Sequence, residues 1–88
     1  MHPVTLSGLH VRTVGDDVLV HDEAGGRVHV LNATAGTVLR ACDGTRSEAA
    51  IAAMLAAEYG IDIATAATDV AAVIADFRRL GLLEVEAD

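Results

Sequence analysis

The chain has 88 residues, of which 52% are hydrophobic and 22% are charged. This length suits one compact domain, and we expect residues 1–88 to form it. Thirteen acidic residues against six basic ones give a formal net charge of -7, which repels phosphate backbones and anionic lipid surfaces. The composition therefore argues against a nucleic acid or a membrane surface as the partner.

The remaining global features indicate a protein that stays inside the cell. No apolar run approaches the roughly 20 residues that cross a bilayer. The amino terminus, Met1 to Thr5, lacks the basic and continuous apolar segments of a signal peptide. Cys42 is the only cysteine, which excludes an internal disulfide framework and agrees with a reducing compartment. We therefore expect a cytoplasmic location.

Three short runs of β-branched and aliphatic residues predict an antiparallel meander in the first part of the chain. The runs, which are separated by turn residues, cover residues 9–14, 18–21 and 28–31. Because side chains alternate along a strand, Val28 and Val30 face one side of the sheet while His29 and Leu31 face the other. Only part of the third strand can therefore be buried.

After the strands, apolar residues recur every three or four positions, which predicts three helices. The first begins at a cap supplied by Asn32 or Thr34 and stops by Gly44. The second opens at Thr45, since Thr45 and Glu48 have the spacing of a capping box. Three strands followed by three helices define an α+β fold, in the order of a winged helix-turn-helix domain with its sheet placed first.

The third helix is expected to begin near Thr65 and to end at Gly81. If Gly81 is the first residue beyond the helix, Leu82 and Phe77 become the pair that makes the hydrophobic contact of a Schellman cap. A short apolar tail, as strand or coil, follows the cap and contains Leu82, Leu83 and Val85.

No arrangement of residues indicates catalysis, a cofactor or a metal. Cys42 lies on the apolar stripe of the first helix, where a cysteine behaves as a small hydrophobic residue. Neither of the glycine-rich phosphate-binding motifs, G-x-G-x-x-G and G-x-x-x-x-G-K-S/T, occurs. The histidines, which lack the spacing of a metal site, are His2, His10, His21 and His29. We expect a protein that is not an enzyme.

Two predicted surfaces favour the binding of a partner. The third strand, residues 28–31, lies at a sheet edge in a simple meander, and an open edge invites another strand. The apolar arc of the last helix is wide, with Val73 and Leu80 on one flank and Asp69 and Asp76 just beyond. The alternative is that Val73 and Leu80 simply complete the core.

Several short motifs follow one another in a definite order along residues 9–83. The motifs are Val30-Leu31-Asn32-Ala33-Thr34-Ala35, Val38-Leu39, Cys42-Asp43-Gly44, Ile51, Leu55, Tyr59, Asp69-Val70 and Gly81-Leu82-Leu83. In this order and spacing the chain resembles the PqqD family, the RiPP recognition elements. Members of that family bind the leader part of a ribosomally made precursor peptide and present it to a modifying enzyme.

The resemblance implies that the leader adds as an extra strand to the third strand and lies against the third helix. The peptide-binding residues that it implies are Arg27, Val28, His29, Val30, Leu31, Asp69, Val73, Asp76 and Leu80. Many relatives have an aromatic residue where this chain has Val28 and His29, so its pocket is expected to be shallower. The implied partner enzyme is of a class such as a radical SAM enzyme, a protease or a cyclase, and no cofactor is implied.

Two further interpretations stay open from the sequence. The first is a winged-helix regulator that binds DNA, against which stand the acidic charge and a single basic cluster, Arg78 and Arg79. The second concerns assembly, because an exposed edge strand can also pair with a second copy of the chain to form a homodimer.

Overall fold

The computed structural model describes residues 2–84, which open with the predicted antiparallel sheet. Its strands are β1 (Leu9–Val14), β2 (Asp17–Asp22) and β3 (Arg27–Leu31), in the spatial order β1-β2-β3. Val20 at the centre of β2 lies opposite Val11 of β1 and opposite His29 of β3. Because β2 occupies the middle, β3 is an edge strand, and no other strand of residues 2–84 pairs with its outer side.

Three helices follow the sheet, which confirms the predicted α+β order. They are α1 (Ala33–Ala41), α2 (Glu48–Tyr59) and α3 (Ile63–Arg79). Of the two caps considered for α1, the structure uses Asn32, whose Oδ1 accepts a hydrogen bond from the Ala35 N–H at 2.8 Å. Since Asn32 directly follows β3, the chain passes from the edge strand into α1 with only one residue between them.

The predicted capping box of α2 is wrong. Ser47 is the N-cap, and its Oγ accepts a hydrogen bond from the Ala50 N–H at 3.1 Å, so Glu48 is the first helical residue. Thr45 instead donates its backbone N–H to Asp43 Oδ1 at 2.9 Å. The Asp43 side chain thereby closes a local turn that keeps Thr45 outside the helix.

The start of α3 also differs from the sequence-based expectation. The helix begins at Ile63, two residues before the expected Thr65. Asp62 caps it, with Oδ2 accepting a hydrogen bond from the Ala64 N–H at 3.1 Å. Aspartate is a strong N-cap residue, and its local hydrogen bond fixes the boundary more directly than the apolar periodicity does.

The end of α3 is the predicted Schellman cap. The Gly81 N–H donates to the Arg78 carbonyl at 3.1 Å, and the Leu82 N–H donates to the Phe77 carbonyl at 2.9 Å. Gly81 has a φ of 74°, a left-handed value that glycine adopts without steric penalty. Leu82 and Phe77 are 0% and 1% exposed, so the hydrophobic contact of the cap is part of the core.

A segment near the amino terminus is hydrogen-bonded both to the end of α1 and to the residues that follow α3. The Thr5 N–H donates to the Cys42 carbonyl at 3.0 Å, and the Leu6 N–H donates to the Leu82 carbonyl at 3.1 Å. The predicted apolar tail therefore lies against the domain at Leu82 and Leu83, both of which are buried. Val85, the third residue of that prediction, lies outside the described residues.

One hydrophobic core lies between the helix-facing side of the sheet and the three helices. Its largest fully buried side chains are Val20, Val38, Leu39, Cys42, Ile51, Leu55, Val70, Ile74, Phe77 and Leu82. Every helix and the carboxyl-terminal tail contribute to it, whereas β3 contributes only Leu31. Within residues 2–84, no helix is long and apolar enough to span a membrane.

Candidate functional site

An open cleft separates the edge strand β3 from α3. No Cα atom of α3 lies within 8 Å of a Cα atom of β3, whereas α1 packs against both β2 and β3. The cleft encloses about 480 Å³. The residues that line it are Leu31, Asn32, Thr34, Ala35, Asp69, Ala72, Val73, Asp76, Phe77 and Leu80.

α3 presents two neighbouring faces, one to the core and one to the cleft. Val70 and Ile74 are 1% and 0% exposed and anchor the helix in the core. The residues that line the cleft recur at the three to four residue spacing of a helical stripe. This stripe contains Asp69, Ala72, Val73, Asp76 and Leu80. The fixed inner face therefore holds the outer stripe at a set distance from the sheet.

The cleft is apolar at its base and acidic at its rim. Leu31 and Phe77 are 9% and 1% exposed and supply the base. Asp69 and Asp76 supply carboxylates to the lining, and Asp76 Oδ1 accepts a hydrogen bond from Arg79 at 2.7 Å. Among the lining residues there is no arginine, lysine or histidine. The surface therefore suits apolar side chains and repels anions.

The structure brings five of the nine predicted site residues into the lining of this cleft. They are Leu31, Asp69, Val73, Asp76 and Leu80. The other four lie along β3 outside the lining, and they are Arg27, Val28, His29 and Val30. Val28 and Val30 are 61% and 64% exposed on the sheet face that points away from the helices. Any role for these two residues at the edge depends on their backbone groups.

Two of the predicted flank residues differ in how far they also belong to the core. Val73 is half-buried and packs against the core, so the alternative interpretation holds for part of its surface. Leu80 is 36% exposed and lies at the edge of the cleft.

His29 points to the helix side of the sheet, and its Nε2 is buried without a hydrogen-bond partner in residues 2–84.

Sequence reasoning missed half of the cleft lining. The missed residues are Asn32, Thr34, Ala35, Ala72 and Phe77. A signal was present for the α1 residues, because the short connection between β3 and α1 places the first turn of that helix beside Leu31. Phe77 was predicted only as half of the Schellman contact, whereas its side chain lies in the core and also closes the base of the cleft.

Two other cavities lack the combination of an apolar base and an acidic rim. One of about 360 Å³ lies between α1 and α2, where Arg40 donates to Thr13 Oγ1 at 2.7 Å and Arg46 to Asp43 Oδ2 at 3.3 Å. Another of about 340 Å³ lies on the outward sheet face beside Arg12 and Val28. Across the described part of the chain, no group of three or more histidine, cysteine, aspartate or glutamate residues could hold a metal ion.

The sequence pattern of the PqqD family, described as coenzyme PQQ synthesis protein D, matches residues 17–83. This match spans both the central and the edge strand and all three helices. The chain therefore belongs to the PqqD family. Comparison with curated proteins gives no significant sequence match.

Two solved structures have the same fold. The complex of TbiB1 with the TbiA(beta) leader peptide superposes with a TM-score of 0.81 at 20% identity, over 97% of this chain and 99% of that one. A lasso peptide synthetase B1 complexed with the leader peptide gives a TM-score of 0.81 at 21% identity, over 97% of this chain and 100% of that one. The predicted fold is thereby confirmed over almost the whole chain.

Proposed function

We propose that this protein binds the leader of a ribosomally synthesised precursor peptide by strand addition to β3 and presents the precursor to a separate modifying enzyme. The observation that carries the proposal is the open edge of β3 facing α3 across an apolar cleft. Membership of the PqqD family and the leader-bound state of both structural relatives support it.

The separation of β3 from α3 is compatible with an added strand. A strand paired with β3 would lie about 4.8 Å from it, and the nearest Cα atom of α3 is more than 8 Å away from β3. Such a strand would pair its backbone with the open side of β3 and direct alternate side chains towards α3. Backbone pairing supplies affinity with little selectivity, so the cleft lining must select the sequence of the leader.

The one thiol of the chain, Cys42, lies outside the cleft and is unsuited to nucleophilic catalysis. Cys42 is 1% exposed, and burial, together with the carboxylates of Asp43 and Glu48, raises the pKa of its thiol to about 11. A neutral buried thiol is a poor nucleophile. An adaptor of this kind accelerates modification by holding the precursor beside the enzyme, which raises the effective concentration of the substrate.

The experiment that tests the proposal is a pair of fluorescence anisotropy titrations. The first uses a labelled leader peptide taken from any short precursor reading frame found beside the gene of this chain, with a scrambled leader as control. The second uses labelled duplex DNA at low salt, where a DNA-binding regulator would bind most strongly. We expect saturable binding of the leader only. Binding of DNA without binding of the leader would replace the proposal with the winged-helix regulator.

A further inference from the structure

We infer that the leader recognised by this chain carries a lysine or arginine that pairs with Asp69 at the rim of the cleft, two positions from an apolar side chain that covers Val73. The inference rests on the proposed function and specifies the chemistry of its ligand. It follows from the placement of Asp69, Val73 and Asp76 on one stripe of α3 beside an apolar base.

A peptide that fills the cleft removes water from the carboxylates in its lining. Removing water from a charged group is unfavourable unless an opposite charge or a hydrogen-bond donor replaces the water. Asp69 makes no ion pair or side-chain hydrogen bond within residues 2–84, so it needs that donor from the ligand. An apolar or acidic peptide would leave the Asp69 carboxylate unpaired.

Asp76 is a secondary contact. Its Oδ1 already accepts a hydrogen bond from Arg79 at 2.7 Å, and the Asp76 and Arg79 side chains remain 55% and 71% exposed. Part of its charge is therefore compensated before a ligand arrives. Among residues 2–84, no basic residue lines the cleft, and the chain carries a formal net charge of -7. Both the local and the overall field therefore favour a cationic leader.

The spacing of the pattern follows from helix and strand geometry. Asp69 and Val73 are one turn apart on α3, which corresponds to about 6 Å along the helix axis. Side chains on one face of a strand recur every second residue, about 6.6 Å apart. For a leader that runs along α3, a cation facing Asp69 therefore lies two positions from the residue facing Val73.

Selection from a random peptide library tests the inference and does not require the sequence of the natural leader. The selection uses an mRNA-display library of peptides about twelve residues long. Because β3 has five residues, a peptide of this length reaches along the whole strand and its flanks. The library is selected against the wild type, against Asp69→Asn/Asp76→Asn, and against Asp16→Asn/Glu58→Gln. The last variant makes the same change in net charge at exposed positions outside the cleft. Thermal unfolding of all three proteins checks that the variants are folded.

We expect peptides selected by the wild type and by the control to combine an apolar residue with a lysine or arginine two positions away. The cationic preference should disappear with Asp69→Asn/Asp76→Asn, while the apolar preference remains. A synthetic peptide from the wild-type selection should bind the wild type about two- to fivefold less tightly when its lysine is replaced by glutamine, as for a lost ion pair at an exposed rim. This peptide comparison needs no protein variant.

Two results would overturn the inference, and they differ in what they say of the proposed function. Selected peptides with the apolar preference but no cation would remove the charge pairing and leave leader binding in place. Selected peptides that still bind after the cleft is filled by Ala72→Trp would place the peptide site elsewhere. That second result would overturn the inference together with the assignment of the cleft, and the leader titration would then decide whether the leader itself binds.

Discussion

Gly36 of α1 packs directly against Val18 of β2. A Cβ atom added at Gly36 would collide with Val18 Cγ2 and would lie 2.9 Å from Val18 Cβ. Both residues are buried, so neither can move into solvent. This contact sets how closely α1 lies on the sheet, and the first turn of α1 lines the cleft.

Gly36→Ala should therefore destabilise the protein by about 1–3 kcal/mol, the usual cost of overpacking a core. At an exposed helical position the same change would stabilise by up to about 1 kcal/mol, so the sign identifies the contact. Chemical denaturation measures the free energy of unfolding. In the double variant Gly36→Ala/Val18→Ala, the loss of unfolding free energy should differ from the sum of the two single losses by at least about 0.5 kcal/mol. Simple additivity would show that the contact does not limit the packing of α1.

Proline at β3 should separate binding of the leader from folding. Successive backbone N–H groups point to opposite sides of a strand, so one of His29→Pro and Val30→Pro removes an N–H on the open side of β3. That variant should keep the unfolding temperature of the matching alanine variant and lose leader binding, because proline cannot donate to the added strand. Circular dichroism and anisotropy measure the two properties. If both proline variants fold and both bind the leader with unchanged affinity, strand addition is excluded.

Filling the cleft should block the leader without disturbing the core. Ala72 is exposed and lines the cleft, so Ala72→Trp places an indole in the space that the leader would occupy. Ala71 is equally an exposed alanine of α3 but lies outside the lining, which makes Ala71→Trp the matched control. We expect at least about a tenfold loss of leader affinity, or 1.4 kcal/mol, for Ala72→Trp only. Equal affinities for the two variants would contradict the assignment of the cleft.

The Cys42 thiol should react only after unfolding. Burial first, and the Asp43 and Glu48 carboxylates second, raise the pKa of the Cys42 thiol from 9.0 to about 11. The folded state holds this proton more tightly than the unfolded state, so the stabilisation is complete below pH 9.0 and is lost as the pH rises through about 11. Labelling with iodoacetamide at neutral pH should therefore follow the unfolded fraction as urea is added. Rapid labelling of the native protein, independent of urea, would show that Cys42 is accessible.

The sequence predicted the elements whose signals are local. The alternation of Val28, His29 and Val30 identified β3. The Gly81 cap identified the end of α3, because the residues that bond in the cap lie within five positions of one another. Local signals also misled, as at Thr45, where the Asp43 side chain competed successfully for the backbone. The hydrogen bonds of Thr5 to Cys42 and of Leu6 to Leu82 had no local signal, because they join positions far apart in the sequence.

The candidate site divides in the same way. By itself the sequence determined that β3 is partly exposed and that Asp69, Val73 and Leu80 share one side of α3, since strand and helix periodicity fix these relations. Only the tertiary structure decided that this side of α3 faces β3 across an open gap, with the first turn of α1 as part of the wall. The physical reason is that long-range packing sets the gap: Val70 and Ile74 anchor α3 in the core, and Gly36 lets α1 approach Val18.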